Sequence, residues 1–512
     1  MNFLNNYLKS KNLSFLNSAV HLPTTIYLTT MKKVFQSAFV LFALTSAAIA
    51  QEKAKGIIYE DLNNNGKKER KEKVLSNVLV SNGVDVVATD KNGAYELTVS
   101  NDNPIFVIKP SGYQFALDTF NLPKFYYLHK PQGSPASKYP GVKPTGKLPK
   151  SLDFGLVPTT EGDQFTAFAF GDPQAYNKAE IDYFIAGIVK DIDKSKAVFG
   201  ISLGDLVGDD LVLHPDYKNA IKQIGLPWYN VMGNHDMNYD AKIDEHSDET
   251  YEANFGPNNF SFNYGKVHFI ILDNILYPDP RDSKSYWGGL REDQLKFIEN
   301  DLKHVPKDHL VVLSFHIPLE DNNSEWFRVA DRERLFDLLK EFPNTLSMSA
   351  HTHIQQQIFY GKDKGWKQGK AHHEYNVGTT SGDWYSGEMN EQGVPSSTMR
   401  DGTPKGYAMI HFDGNKYKVD YKVAGKSQDY QINVFAPKAV VKAEKSRHSV
   451  YANVFMGSPT DEVLFSVNDG EWKKMKFTEE GDPHYESTFY KWDVSEKAIK
   501  GRRPSKSLQN WL

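Results

Sequence analysis

An α/β core with a β module on either side is the architecture this 512-residue sequence predicts, and three observations predict it. Through the middle of the chain, short apolar runs rich in β-branched and aromatic residues each end in a polar cluster. Before them, from Lys55 to about Val157, hydrophobic residues alternate over short segments parted by turn signals. After them, from Gln431, alternating segments return. A chain this long exceeds what one core supports. It divides into residues 51–157, 158–425 and 426–512.

The amino terminus carries Met31-Lys32-Lys33, an apolar run from Val34 to Ala47, and Ala48-Ile49-Ala50 before Gln51. That is the layout of a secretory signal peptide with an A-x-A cleavage site, and its apolar run is too short to span a bilayer. Residues 1–30 precede a complete leader and read as a spurious upstream extension, with Met31 the start. The mature chain is expected from Gln51, periplasmic or secreted, with no transmembrane segment. A net charge of -4 gives no general pull toward nucleic acid or membrane. The absence of cysteine excludes a disulfide scaffold and thiolate metal sites.

In the first module, Val78-Leu79-Val80, Val84–Ala88, Tyr95–Val99 and Ile105–Ile108 read as strands, with Asn82-Gly83 and Asn92-Gly93 as turns. This is a small β-sandwich of immunoglobulin or transthyretin type. Thr89-Asp90-x-x-Gly93-x-Tyr95 resembles the hairpin of prealbumin-like and Cna-B-like modules. Asp61, Asn63, Asn65 and Glu72 fit the spacing of a calcium loop, with an Asn-rich turn as the alternative. Residues 130–150 read as an irregular linker wrapping toward the middle region.

In that region Phe165–Phe170, Ala197–Leu203, Trp228–Met232 and Leu310–Phe315 read as buried parallel strands. They run respectively into Gly171-Asp172-Pro173-Gln174, Gly204-Asp205, Gly233-Asn234-His235-Asp236 and His316, with His351-Thr352-His353 further on. Polar residues at strand carboxyl ends are where α/β proteins build active sites. Asp172 and Gln174, at i and i+2, leave a strand end with both side chains on one face, as do His351 and His353. Carboxylate, amide and imidazole donors suit a pair of Mn, Fe, Zn or Co ions sharing a bridging oxygen.

In this order the clusters resemble the calcineurin-like metallophosphoesterases, whose motifs run D-x-[HQ], GD, GNH[DE], H and GHxH; the likeness spans roughly Gln164 to Lys422. It implies a four-layer α/β/β/α sandwich. It also implies that Asp172, Gln174, Asp205 and His353 bind one metal, while Asn234, His316 and His351 complete a second site bridged by Asp205. A metal-bridging hydroxide would attack phosphorus, and His235, binding no metal, would face the ester as proton donor. Three departures stand out. Gln174 replaces the commoner His, Ala350 stands where Gly is usual, and Gly208 is followed by Asp209 and Asp210, either of which would orient His235. With no Tyr there, the purple acid phosphatase branch is not expected. Asp236 reads equally as a holder of His235 or as a helix cap.

After His353, the polar-aromatic stretches Tyr375–Tyr385 and Asp401–Tyr407 are unusual filler near a site, and Trp384, Tyr385 and Asp401 are candidate substrate contacts. Strands are expected at Ala408–Phe412, Tyr417–Lys422, Ala439–Ala443 and Val450–Phe455. The last two belong to a C-terminal β domain, and resemblance implies a further strand pair beyond Leu512, its absence leaving an unpaired sheet edge. The expected function is hydrolysis of a small-molecule, glycan or lipid phosphoester, mono- or diester, with no nucleic-acid partner indicated. A phosphate- or glycan-binding surface protein that had lost catalysis would keep the fold but lose ligands, and all seven positions hold competent donors. A purely structural β protein would explain the flanks and not the middle.

Overall fold

The computed structural model describes residues 52–320, 326–439, 449–458 and 460–505. The expected leader and the extension before it lie outside the described residues. No helix among the described residues is long and apolar enough to cross a membrane.

Residues 52–158 form two sheets. One runs Ala94–Val99, Glu52–Glu60, Phe154–Pro158, Tyr113–Leu117, Pro123–Lys124; the other runs Val86–Ala88, Leu79–Ser81, Asn103–Ile108, Tyr126–His129. Ile58, Leu97, Val99 and Leu156 of the first share one buried cluster with Val80, Ile105 and Val107 of the second. Alternation fails at Ile105–Ile108, where four consecutive residues are buried, because this sheet is covered on both faces. On its far side Phe106 meets Phe297 of the middle region edge-on at 5.7 Å, and Phe125 lies 4.8 Å from Phe260. Lys109 and Glu161 pair at 2.6 Å across the same junction, both buried.

The middle region is two facing sheets. The first has the order Trp228–Val231, Phe199–Leu203, Gln164–Phe170, Gly406–Asp413, Lys416–Val423, its first three strands parallel. The second has Phe260–Tyr264, Val267–Ile271, Leu310–Ser314, Asn344–Ser349, His372–Asn376, Gln356–Tyr360, parallel through its four central strands. Strand periodicity sorts the side chains: Phe165, Ala167 and Ala169 join the cluster between the sheets, while Phe168 and Phe170 point to the outer helices. Tyr229 stacks on Phe262 across the gap at 4.1 Å. Helices Lys178–Gly187 and His214–Lys222 cover the first sheet through Phe184, Tyr217 and Ile221. Glu292–Leu302 and Val329–Leu339 cover the second through Ile298, Leu335 and Phe336. This is an α/β/β/α sandwich, and both sheets aim their parallel strand ends at one rim.

The 130–150 segment binds the middle region directly. Ser137 Oγ and the Lys138 N–H donate to Asp240, and the Tyr139 hydroxyl donates to the Asp209 carbonyl at 3.0 Å. Lys130 Nζ lies 2.9 Å from Asp102, 2.7 Å from Glu249 and 2.9 Å from Glu252. Burial, opposed by Lys130 but reinforced by Asp102 and Glu249, pushes the Glu252 carboxyl from 4.5 up to about 7. The folded chain therefore keeps a proton that the unfolded chain sheds above about pH 4.5. Stability present below about pH 4.5 is lost as the pH climbs to about 7. Thermal melts should show a lower Tm at pH 8 than at pH 5.5, and Glu252→Gln should shrink that difference; an unchanged pH dependence in the variant counts against it.

The C-terminal region departs from expectation. It has the ladders Ile432–Phe435 with Tyr451–Val454 and Leu464–Phe465 with Lys473–Lys474, but then a helix, Pro483–Val494. Asp482 accepts the Tyr485 N–H at 2.7 Å as its N-cap, with Pro483 in the first turn. The chain then returns as Gly501–Arg502, pairing antiparallel with Gly387–Glu388 of the middle region. The strand expected at Ala439–Ala443 lies, from residue 440 on, outside the described residues.

Candidate metal centre

At the common rim, three turns from the first sheet and two from the second bring together all seven residues singled out as ligands. Asp205 is the hub. Its Oδ1 accepts the His235 N–H at 2.9 Å and lies 3.2 Å from His316 Nε2. His316 Nε2 is also 3.1 Å from Asn234 Oδ1 and 3.2 Å from His351 Nδ1. Its other nitrogen, Nδ1, faces the Leu203 carbonyl at 2.8 Å. That contact assigns the proton to Nδ1 and turns the Nε2 lone pair inward. On the other flank Asp172 accepts the His351 N–H at 3.1 Å, and His353 Nε2 stands 3.9 Å from Asp172 Oδ1. His353 Nδ1 is held by the Gly382 carbonyl at 3.1 Å.

These groups fit divalent cations. Asp205, His316 and His351 each offer a ligand atom within 4.8 Å of the others. Gln174 Oε1 is buried without a hydrogen-bond partner, a cost that a cation would remove. Burial takes His351 and His353 down to about 3, so both are neutral donors at any ordinary pH. Burial, opposed by His316 and reinforced by Asp205, pushes Asp172 up to about 8. Burial also works against ionisation of Asp205, but His316 and His235 outweigh it and hold that carboxyl well below the usual range. The charge of Asp205 thus works against ionisation of Asp172, a repulsion that a cation between them would relieve.

The backbone is bent to make this possible. Asp172, Gln174, Asp205, His351 and His353 all have φ between +36° and +70°, a region costly for residues with a Cβ. Gly233 cannot be replaced, since a Cβ there would stand 1.9 Å from the Asp205 nitrogen. Ala350, by contrast, has no left-handed φ and is fully buried, so the methyl group in place of the usual glycine is accommodated.

His235 stands beside the cluster. Its Nδ1 is 2.7 Å from Asp209 Oδ1, its side chain is 23% exposed, and Tyr176 meets it edge-on at 5.9 Å. Of the acids proposed to orient it, Asp209 is the one in contact. Asp210 instead accepts the Val212 N–H and caps a short helical turn. Asp236 must be corrected as a catalytic residue, and as a cap it closes the short helical turn Asn234–Asp236 in which it lies rather than a following helix. Its buried carboxylate accepts the N–H groups of Leu206, Val207 and Gly233 and contacts His214 at 3.2 Å, fastening the Asp205 turn to the Asn234 turn. Tyr176 also explains Gly208, whose Cβ would lie 2.7 Å from the Tyr176 ring.

The proposed substrate contacts divide. Trp384 stacks on the His353 ring at 4.2 Å. Tyr385 is corrected: it is buried, and its hydroxyl donates to the Pro173 carbonyl. Asp401 is corrected likewise, since its carboxylate accepts the N–H groups of Gln355 and Thr403. Sequence reasoning missed Tyr286 and Trp326, 6.1 and 5.5 Å from the His351 ring. No motif marks them. Far from this rim, Asp61 and Glu72 of the calcium-like spacing are buried. Asp61 accepts the Asn65 and Gly66 N–H groups and Glu72 those of Leu62 and Glu69. Asn63 and Asn65 likewise accept neighbouring N–H groups.

Family models for calcineurin-like phosphoesterases match this chain in three parts: the N-terminal part over residues 62–140, the phosphoesterase itself over 167–355, and the C-terminal part over 374–511. The chain is also 30% identical, over 200 residues, to a probable glycerophosphodiester phosphodiesterase GpdQ of Arcobacter nitrofigilis, covering 37% of this chain and 69% of that protein. The chain belongs to the calcineurin-like phosphoesterase family. It is thereby a metal-dependent phosphoester hydrolase, of a family that binds two divalent metals. Among solved structures, this phosphoesterase is similar to purple acid phosphatase PPD1 of yellow lupin, at 12% identity and a TM-score of 0.37, with 72% of this chain and 66% of that one covered. It is similar also to a dimetal phosphatase of Danio rerio, at 11% identity and a TM-score of 0.32, with 51% and 99% covered.

Proposed function

We propose that this chain is an exported hydrolase with a dinuclear centre, using Asp172, Gln174, Asp205 and His353 for one ion, and Asp205, Asn234, His316 and His351 for the other. The observation that carries this reading is the convergence of those donors around Asp205, with His235 beside them and held by Asp209. Divalent transition ions, when bound there, supply positive charge to the phosphoryl oxygens and acidify the attacking water. The protein's own groups do the rest. Asp209 fixes the Nδ1 side of His235, which leaves Nε2 as the atom that delivers a proton to the departing oxygen. Trp384, packed on His353, walls the site on one side. The activity for which the Arcobacter relative is named makes a phosphodiester the first bond to try. Export rests on the leader before Gln51.

Expression from Met31 should yield an extracytoplasmic protein whose first residue is Gln51. That protein should hydrolyse bis(4-nitrophenyl) phosphate or 4-nitrophenyl phosphate only while divalent metal is present, and the ratio of the two rates assigns diesterase or monoesterase. Undiminished turnover after exhaustive chelation would overturn the metal-dependent reading, and a retained leader would overturn export.

A further inference from the structure

Trp384 is gripped from two directions by arginines that the catalytic reading leaves unused. Arg400 places its guanidinium 5.3 Å from the centre of the Trp384 ring and donates from Nη2 to the carbonyl of Thr352, the residue between His351 and His353. Its Nε is buried without a partner. Arg502 comes from the opposite end of the sequence, on the returning strand Gly501–Arg502, and its Nη1 lies 3.4 Å from the Trp384 carbonyl. It is exposed, and the Trp384 that it holds stacks on the ring of His353.

Among the described residues neither guanidinium has a carboxylate within 4.0 Å, whereas the adjacent Arg503 pairs with Asp493 at 2.8 Å. The acid nearest in the ladder, Glu388, is engaged by Lys491. The returning strand is fixed by more than its own short ladder. The Ser505 N–H donates to Asp383 at 2.7 Å, and the Tyr485 hydroxyl donates to the Ser505 carbonyl at 2.9 Å. A pair of planar donors with no carboxylate within 4.0 Å among the described residues, beside a phosphoester site, is suited to a carboxylate or phosphate.

We infer that Arg502 and Arg400, both held on Trp384, form a subsite for a second negative charge, so that the preferred substrate is a phosphoester whose leaving group carries a carboxylate or a further phosphate. This rests on the phosphoester reading above. Arg502 is the specificity-determining member, because Arg400 is partly committed to the Thr352 carbonyl.

The test compares KM for phenyl phosphate, 4-carboxyphenyl phosphate and 1,4-phenylene bisphosphate in the full chain loaded with metal. Wild type should favour one or both doubly charged esters, and the preferred one names the anion. Arg502→Ala should raise KM for that ester about tenfold, the scale of one charge-assisted hydrogen bond, with phenyl phosphate, metal content and Tm unchanged. Arg502→Lys should recover part of the loss, since it keeps the charge without the fork. An equal rise for phenyl phosphate would place Arg502 on the scissile phosphate and overturn the subsite, as would no change for any ester. If wild type turned over none of the three and no bis-ester either, the phosphoester reading itself would fall.

Discussion

Asp205→Asn is expected to abolish phosphoester hydrolysis and to leave the purified protein with less than one transition metal per chain, against about two in the wild type. Asp205 touches both halves of the donor set: Oδ1 is 3.2 Å from His316 Nε2, and its backbone carbonyl accepts the Gln174 N–H at 2.7 Å. An amide of the same shape keeps the fold but has a single neutral oxygen, and its NH2 group would face either an imidazole lone pair or the other ion. The loss is therefore one of charge and of bridging geometry together. Elemental analysis alongside turnover decides the matter: an Asn variant retaining both metals and full activity would remove Asp205 from the centre.

The second large effect is of a different kind. His235→Ala should lower kcat by roughly 10²–10⁴-fold, the usual range for positioned acid–base catalysis, with metal content intact. The side chain lies beside the cluster, is 23% exposed, and its Nδ1 is occupied by Asp209 at 2.7 Å. The deficit should be small for nitrophenyl esters, whose leaving group departs without a proton, and large for alkyl esters. Asp209→Asn should reproduce a fraction of it. Metal loss in His235→Ala, or equal damage to aryl and alkyl esters, would show that His235 is not the proton donor.

Residue type and spacing point to the candidate donors because a strand that stops at a polar residue leaves few places for that side chain to go. Asp172, Gln174, Asp205, Asn234 and His316 lie within a few residues after buried parallel strands, and the fold needs only to bring those ends to one rim. What could not be read is direction. In sequence Asp236 looks as catalytic as Asp209, and Asp401 looks like a substrate contact, yet each turns inward onto backbone N–H groups. Asp209 is separated from them by a single backbone choice, a φ of +53°. The helix Pro483–Val494 was missed although Asp482-Pro483 is a helix-start signal, because only Tyr485 of its length is buried and no apolar stripe marks it. Arg502 was invisible for another reason: it reaches Trp384 from 118 residues away through a two-residue ladder.

The N-terminal sandwich shares one uninterrupted buried cluster with the catalytic sheets, through Phe106 against Phe297 and Phe125 against Phe260, and it seals the junction with the buried Lys109–Glu161 pair. Such a module is no tethered appendage. Cutting the chain before residue 158 would strip aromatic side chains of their neighbours and expose apolar surface, so a fragment starting there is expected to be less stable and more prone to aggregate than the whole chain. Heat or denaturant should meet a single cooperative body here.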